Sequence, residues 1–123
     1  MENEALSQEV IGAAIEVHRM MGPGLLESVY QVCLVQELRL RKVEFTPQYR
    51  VPLIYKGTPL EHDLVIEFFF ANRLVVELKA VERVLSVHEA QLLTYMKLTS
   101  VKVGLLINFN VPILKNGLKR MVL

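Results

Sequence analysis

Residues 60–81 read LEHDLVIEFFFANRLVVELKAV, two β-patterned runs separated by a short link. The charges inside these runs restrict the fold more than any other feature of the chain. Glu77 and Lys79 lie two residues apart, so an extended chain puts both on one face and Leu74, Val76, Leu78 and Ala80 on the other. Charged groups in so apolar a strand are costly unless they are paired or bind an ion. The first run carries Asp63, the only aspartate in the chain.

Hairpin geometry sharpens the expectation. Residues directly opposite in an antiparallel pair share a face, so Asp63 joins Glu77 only when cross-strand numbers sum to an even value. A two-residue turn at Ala71-Asn72 gives an odd sum and turns Asp63 away. A three-residue loop, Phe70-Ala71-Asn72, pairs Phe69 with Arg73 and sets Asp63 opposite Lys79. Glu77 is then diagonal to Asp63, about 7–8 Å away between backbone positions. Asparagine tolerates the left-handed conformation that such loops need. Three loop residues or a bulge are therefore expected. Two carboxylates, with water and phosphate oxygens, suit Mg²⁺ or Mn²⁺. Such a metal generates hydroxide and neutralises phosphodiester charge, and a nearby lysine stabilises the transition state or orients water. A structural ion-pair network would present the same residues, so that reading stands beside the metal one.

The remaining chain supplies layers for these strands. From Ser7, read as an N-cap, Val10, Ile11, Ala14, Ile15 and Val17 recur at helical spacing up to Met20. Gly22-Pro23-Gly24 breaks the chain, and a second helix runs from about Leu25 to Arg41, with Glu37 the polar exception in its apolar stripe. From Glu44 to Tyr55 the period is two, with Pro47 and Pro52 marking a strand near a sheet edge. Val87 to Leu98 returns to helical spacing; Val101 to Phe109 reads as a strand buried on both faces, and the tail as one more short strand. The order α-α-β-β-β-α-β-(β) predicts helices on both sides of one mixed sheet.

At 123 residues the chain is expected to form one domain, residues 1–123, without disulfides. Its single cysteine, Cys33, points to a reducing, cytoplasmic setting and reads as a small buried core residue. The acidic opening MENEALSQEV and the lack of any apolar run of membrane length predict neither signal peptide nor membrane span. Hydrophobic residues make up 52% of the chain and mean hydropathy is +0.33, an excess that points to a partner surface such as a homodimer. The net charge of +1 carries no nucleic-acid signal in itself. After Glu89, however, come only cations (Lys97, Lys102, Lys115, Lys119 and Arg120), an end that a polyanion could meet or that is merely solvated.

Taken together these residues resemble the PD-(D/E)XK nuclease superfamily, whose signature is D…(E)xK on adjacent strands flanked by helices. Gly24-Leu-Leu-Glu27-Ser-Val-Tyr30 is similar to the GxxExxY motif that names a small bacterial and archaeal family within it. EHDLVIE, VVELKAVE, HEAQLLTYMKLT and GLLINF extend the likeness over nearly the whole chain. The resemblance implies a three-layer α/β/α, restriction-endonuclease-like core. It implies Asp63 and Glu77 as metal ligands, Lys79 as the catalytic lysine and Glu27 as an additional helix carboxylate at the metal. Gln91 and Tyr95 match a QxxxY helix motif, and their i,i+4 spacing places them on one helical face. His62 stands where the family pattern has an arginine, and Glu61 and Glu67 would crowd or supplement the site. Tyr30 reads as packing; His18 and His88 read as structural, with phosphate contact the alternative.

The implied function is Mg²⁺- or Mn²⁺-dependent hydrolysis of phosphodiester bonds in DNA or RNA. The alternative is a non-catalytic binding module for nucleic acid or protein that keeps the fold, favoured by the apolar content and by the Phe68-Phe69-Phe70 run.

Overall fold

The structure, a computed structural model, describes residues 3–123. Helices α1 (Asn3–Met21) and α2 (Glu27–Leu40) precede strands β1 (Thr46–Tyr55), β2 (Thr58–Phe70) and β3 (Leu74–Lys79). Helix α3 (Ser86–Thr99), strand β4 (Val103–Asn108), a short 3-10 turn (Leu114–Gly117) and strand β5 (Leu118–Val122) complete the chain. The strands lie in the order β1-β2-β3-β4-β5; every neighbouring pair is antiparallel except β3 and β4. That parallel pair is joined through α3, as a crossover requires.

Each face of the sheet has its own core. On one face Val10, Ala14 and Val17 of α1 and Tyr30, Leu34 and Leu38 of α2 pack on Phe68, Phe70, Val76, Leu78 and Leu105. On the other, Leu92, Tyr95 and Met96 of α3 pack on Ile66, Phe69, Val75 and Leu106. The architecture is therefore α/β in three layers, as the element order predicts. All six residues of β4 are buried, which is what a strand covered on both faces demands.

Local differences have local causes. Helix α1 begins at least four residues before Ser7, because Leu6 extends the buried stripe by one turn; Ser7 is a buried mid-helix residue rather than a cap. Glu37 is explained by Arg41, whose guanidinium bonds Glu37 at 2.8 Å and Glu9 at 3.3 Å and so ties α2 to α1. Cys33 is half-buried rather than a full core residue. Both sheet edges carry features that discourage further pairing. β1 holds Pro47, Pro52 and a left-handed Gln48 at φ 51°, and on β5 Lys119 and Arg120 reach Glu89 and Glu4 at 3.1 and 3.6 Å. No helix among the described residues is long and apolar enough to cross a membrane.

Candidate functional site

The hairpin between β2 and β3 has a three-residue loop, as parity requires, but it comprises Ala71, Asn72 and Arg73. Asn72 takes the left-handed conformation, φ 61°. Phe70 pairs with Leu74, Phe69 with Val75 and Phe68 with Val76, a register slipped by two residues from the expected one. Burial explains the slip. Phe70 is 1% exposed, and placing it in the loop would forfeit about 2–3 kcal/mol of apolar burial. The half-buried Arg73 occupies the loop instead.

Continuing the register brings Glu67, not Asp63 or Val65, opposite Glu77. Here the two strands part. The Glu67 N–H donates to Oε1 of Glu77 at 3.3 Å, and the Leu78 N–H donates to Oε1 of Glu67 at 3.1 Å. Each carboxyl group takes a place that a ladder carbonyl would otherwise fill, so the seam between β2 and β3 is lined by two acids. On the other side of β2 the ladder with β1 also skips Glu67: Pro47 pairs with Phe68 and Tyr49 with Ile66. Ile66 and Phe69, three apart, both face α3, so the alternation of β2 breaks at Glu67, opposite the left-handed Gln48, with no change of register between β1 and β2 there.

The same break in alternation disposes of Asp63. Beyond Glu67 the alternation reverses: Leu64 and Ile66 face α3, and Asp63 turns to the opposite face from Val75 and Glu77. Asp63 pairs across from Pro52 and lies 4.0 Å from the Arg50 guanidinium, both side chains exposed. It is four residues beyond Glu67, roughly 13 Å of extended chain. The expected pairing of Asp63 with Lys79 is thus corrected, and Glu67 occupies the position beside Glu77.

Burial and charge make this pair unusual. Glu77 is 5% exposed, and burial pushes its carboxyl up; the bonds from Glu67, the amide beside it and the Lys79 ammonium pull the other way, while Glu27 adds to the rise. Burial likewise raises Glu67, as do Glu77 and then Glu27, to about 10; only the Leu78 amide opposes them. Oε2 of Glu67 is buried without a partner among the described residues. Burial thus pushes both carboxyls of the seam toward the protonated form, and one oxygen of Glu67 has no partner among the described residues.

The other residues singled out by sequence stand around this seam. Glu27, in the first turn of α2, is near enough to act on both carboxyls, and the helix N-terminus favours its charge. Lys79 follows on β3, half-buried, with its carbonyl accepting the Phe109 N–H at 2.9 Å. Tyr95 is 7% exposed; burial and then the Glu77 charge raise its hydroxyl, which accepts a bond from the exposed Gln91 amide at 3.1 Å. His18 and His88 are structural. The first donates Nε2–H to the Val111 carbonyl at 2.8 Å, and the second accepts the Leu85 N–H on Nδ1 at 3.0 Å at the start of α3. Of the cations after Glu89, Lys119 and Arg120 are spoken for by acids.

Among the described residues no three His, Cys, Asp or Glu side chains are gathered closely enough to enclose a cation. A buried and a half-buried carboxylate with a third nearby, and an oxygen without a partner among the described residues, nonetheless fit Mg²⁺ or Mn²⁺. Those ions bind through one or two protein carboxylates and complete their shell with water and phosphate. A cavity of about 520 Å³ between Leu6, Arg39, Phe45 and Arg73 lies at the hairpin end, away from the acids. One of about 270 Å³, bordered by Glu82, Arg83, Asn108 and Lys119, lies beside the ends of β3 and β4.

Glu67 was legible in the sequence only as a supplementary acid. Its signal is that it sits one residue before an unbroken buried triplet, Phe68-Phe69-Phe70. Comparison with curated proteins and with solved structures gave no match. A family model does match, over residues 4–121, nearly the entire chain and including every residue of the seam. With the three-layer mixed sheet and the acid-acid-lysine arrangement on β2 and β3, the chain belongs to the PD-(D/E)XK nuclease superfamily.

Proposed function

We propose that this chain is a divalent-metal-dependent nuclease that hydrolyses phosphodiester bonds of DNA or RNA. The observation that carries the reading is the opened seam. The buried Glu77 and the half-buried Glu67 replace ladder carbonyls, and one oxygen of Glu67 has no partner among the described residues. A largely desolvated carboxyl pair with one unpartnered oxygen costs stability, so its place in an otherwise apolar sheet calls for a ligand. Glu77 and Glu67 would hold Mg²⁺ or Mn²⁺, with Glu27 contributing from α2. Bound there, the metal supplies Lewis-acid polarisation of a phosphate oxygen and an acidified water.

The chain's own groups account for the rest. The Lys79 ammonium, next in line on the same face as Glu77, stabilises charge developing on the phosphate and orients the attacking water. Tyr95 and Gln91, bonded to each other, close the α3 side and present an amide edge to the substrate. Asp63, a ligand by family pattern, stands with Arg50 on the β1–β2 arm and joins the set only if that arm folds inward.

Calorimetric titration with Mn²⁺, paired with cleavage assays on single- and double-stranded DNA and RNA, tests the reading. Wild type is expected to bind and cut, and Glu77→Gln to do neither. Absence of Mn²⁺ binding at millimolar concentration would make the acids structural. Binding without cleavage of any of the four substrates would favour the second reading, a non-catalytic module. That reading draws on the exposed Met20, Leu26 and Val32 of α1 and the α2 region, 66%, 73% and 70% accessible.

A further inference from the structure

We infer that Tyr30 is a positioning residue that holds Glu27 against the Glu77–Lys79 strand, acting through its hydroxyl. The inference rests on the reading that Glu27 contributes to a metal site.

Helix α2 starts without a side-chain cap: its N-cap is Leu26, which offers no acceptor. The chain reaching it passes through Gly22 and Gly24, both left-handed at φ 72° and 92°, where a side chain would be strained and nothing else packs. A segment of this kind has little to define the angle at which Glu27 enters the helix. Tyr30 supplies that definition. It is fully buried one turn after Glu27, and its hydroxyl donates to the Gly22 carbonyl at 2.6 Å while accepting the Leu25 N–H at 3.1 Å. One oxygen therefore closes the loop from both ends.

The ring extends the tie to the sheet. It stacks on Phe109 with centroids 4.5 Å apart and planes 11° from parallel. The Phe109 N–H is the group that donates to the Lys79 carbonyl at 2.9 Å. The loop bearing Glu27 and the strand bearing Glu77 and Lys79 are thus joined through one side chain. The Tyr30 hydroxyl bonds backbone groups of the loop and, among the described residues, no acid of the seam, so its effect passes through Glu27.

Tyr30→Phe keeps the ring and its stack and removes only the hydroxyl. Mn²⁺ affinity, measured by calorimetry, is expected to fall roughly tenfold, as for other residues that orient a ligand. In a Glu27→Gln background the same change is expected to cost no further affinity. Gly24→Ala, which disturbs the loop without touching the ring, should weaken Mn²⁺ binding in the same Glu27-dependent way. An unaltered affinity in Tyr30→Phe, or an equal loss in both backgrounds, would overturn the inference and leave Tyr30 as packing. Wild-type affinity in Glu27→Gln also overturns it, by removing Glu27 from the site. Failure of wild type itself to bind Mn²⁺ is a different result, and it ends the metal reading as a whole.

Discussion

Glu67 and Asp63 are carboxylates four residues apart on one strand, and the sheet treats them in opposite ways. Glu67 lies half-buried at a break in the alternation of β2, in the seam with β3 beside the buried Glu77, with one oxygen unpartnered among the described residues. Asp63 lies where β2 has left β3 and runs with β1 alone, exposed and facing an exposed arginine. Water screens the second arrangement, and such a pair contributes at most about 1 kcal/mol. Desolvation governs the first. The contrast shows that position relative to the core, more than residue type, makes a carboxylate chemically available in this fold.

Substitutions can break or sharpen that contrast. The largest effect is expected from Glu77→Gln, which should abolish Mn²⁺ binding and cleavage together. Asp63→Asn under the same conditions is the matched control. Next, Lys79→Ala should lower cleavage by roughly 100- to 1000-fold, the scale of losing one transition-state contact. Its Mn²⁺ affinity should change far less, and parallel calorimetry separates the two. An equal loss of both would place Lys79 in metal binding instead.

Glu67→Gln should act in two directions. Mn²⁺ affinity is expected to fall about tenfold, while the metal-free protein becomes more stable. The sign follows from protonation. An unfolded glutamate ionises near 4.5, whereas the folded group keeps its proton until about 10. Between those values the unfolded chain binds fewer protons, so the stabilising contribution, complete at low pH, drains away as pH rises. The slope is on the order of 1 kcal/mol per pH unit. Urea midpoints of metal-free wild type should therefore decline from about pH 6 to about pH 9, and those of Glu67→Gln should decline less. An equal or steeper decline in the variant would show that Glu67 is ionised across this range.

The smallest effect is expected from Asp63→Asn: unchanged thermal midpoint, and metal affinity within about twofold, in line with an exposed ion pair. Complete loss of cleavage with folding intact would collapse the comparison and show the β1–β2 arm closing over the seam.

Much of this molecule was readable beforehand. The element order, the edge position of β1 from its prolines, the doubly buried β4 and the left-handed Asn72 all followed from periodicity and turn chemistry. So did the shared face of Glu77 and Lys79. Ser7 was misread because a cap and a buried helical serine look alike until Leu6 is known to be in the core. Tyr30 was read as packing; its hydrogen bonds to a loop eight residues back are invisible to helical spacing.

The choice between Asp63 and Glu67 marks the boundary. Period-two parity determined that an acid of β2 could share a face with Glu77, and that the loop must contain an odd number of residues. Parity is unchanged by a slip of two, so it cannot distinguish one even register from the next. Only the packed structure decided that, because burial of Phe70 against α1 and α2 outweighs the preference of any loop. The irregularity where Glu67 meets the left-handed Gln48 then reversed the alternation behind it, a step no local pattern announces. Local rules set which residues can meet, and the shape of the core sets which of them do.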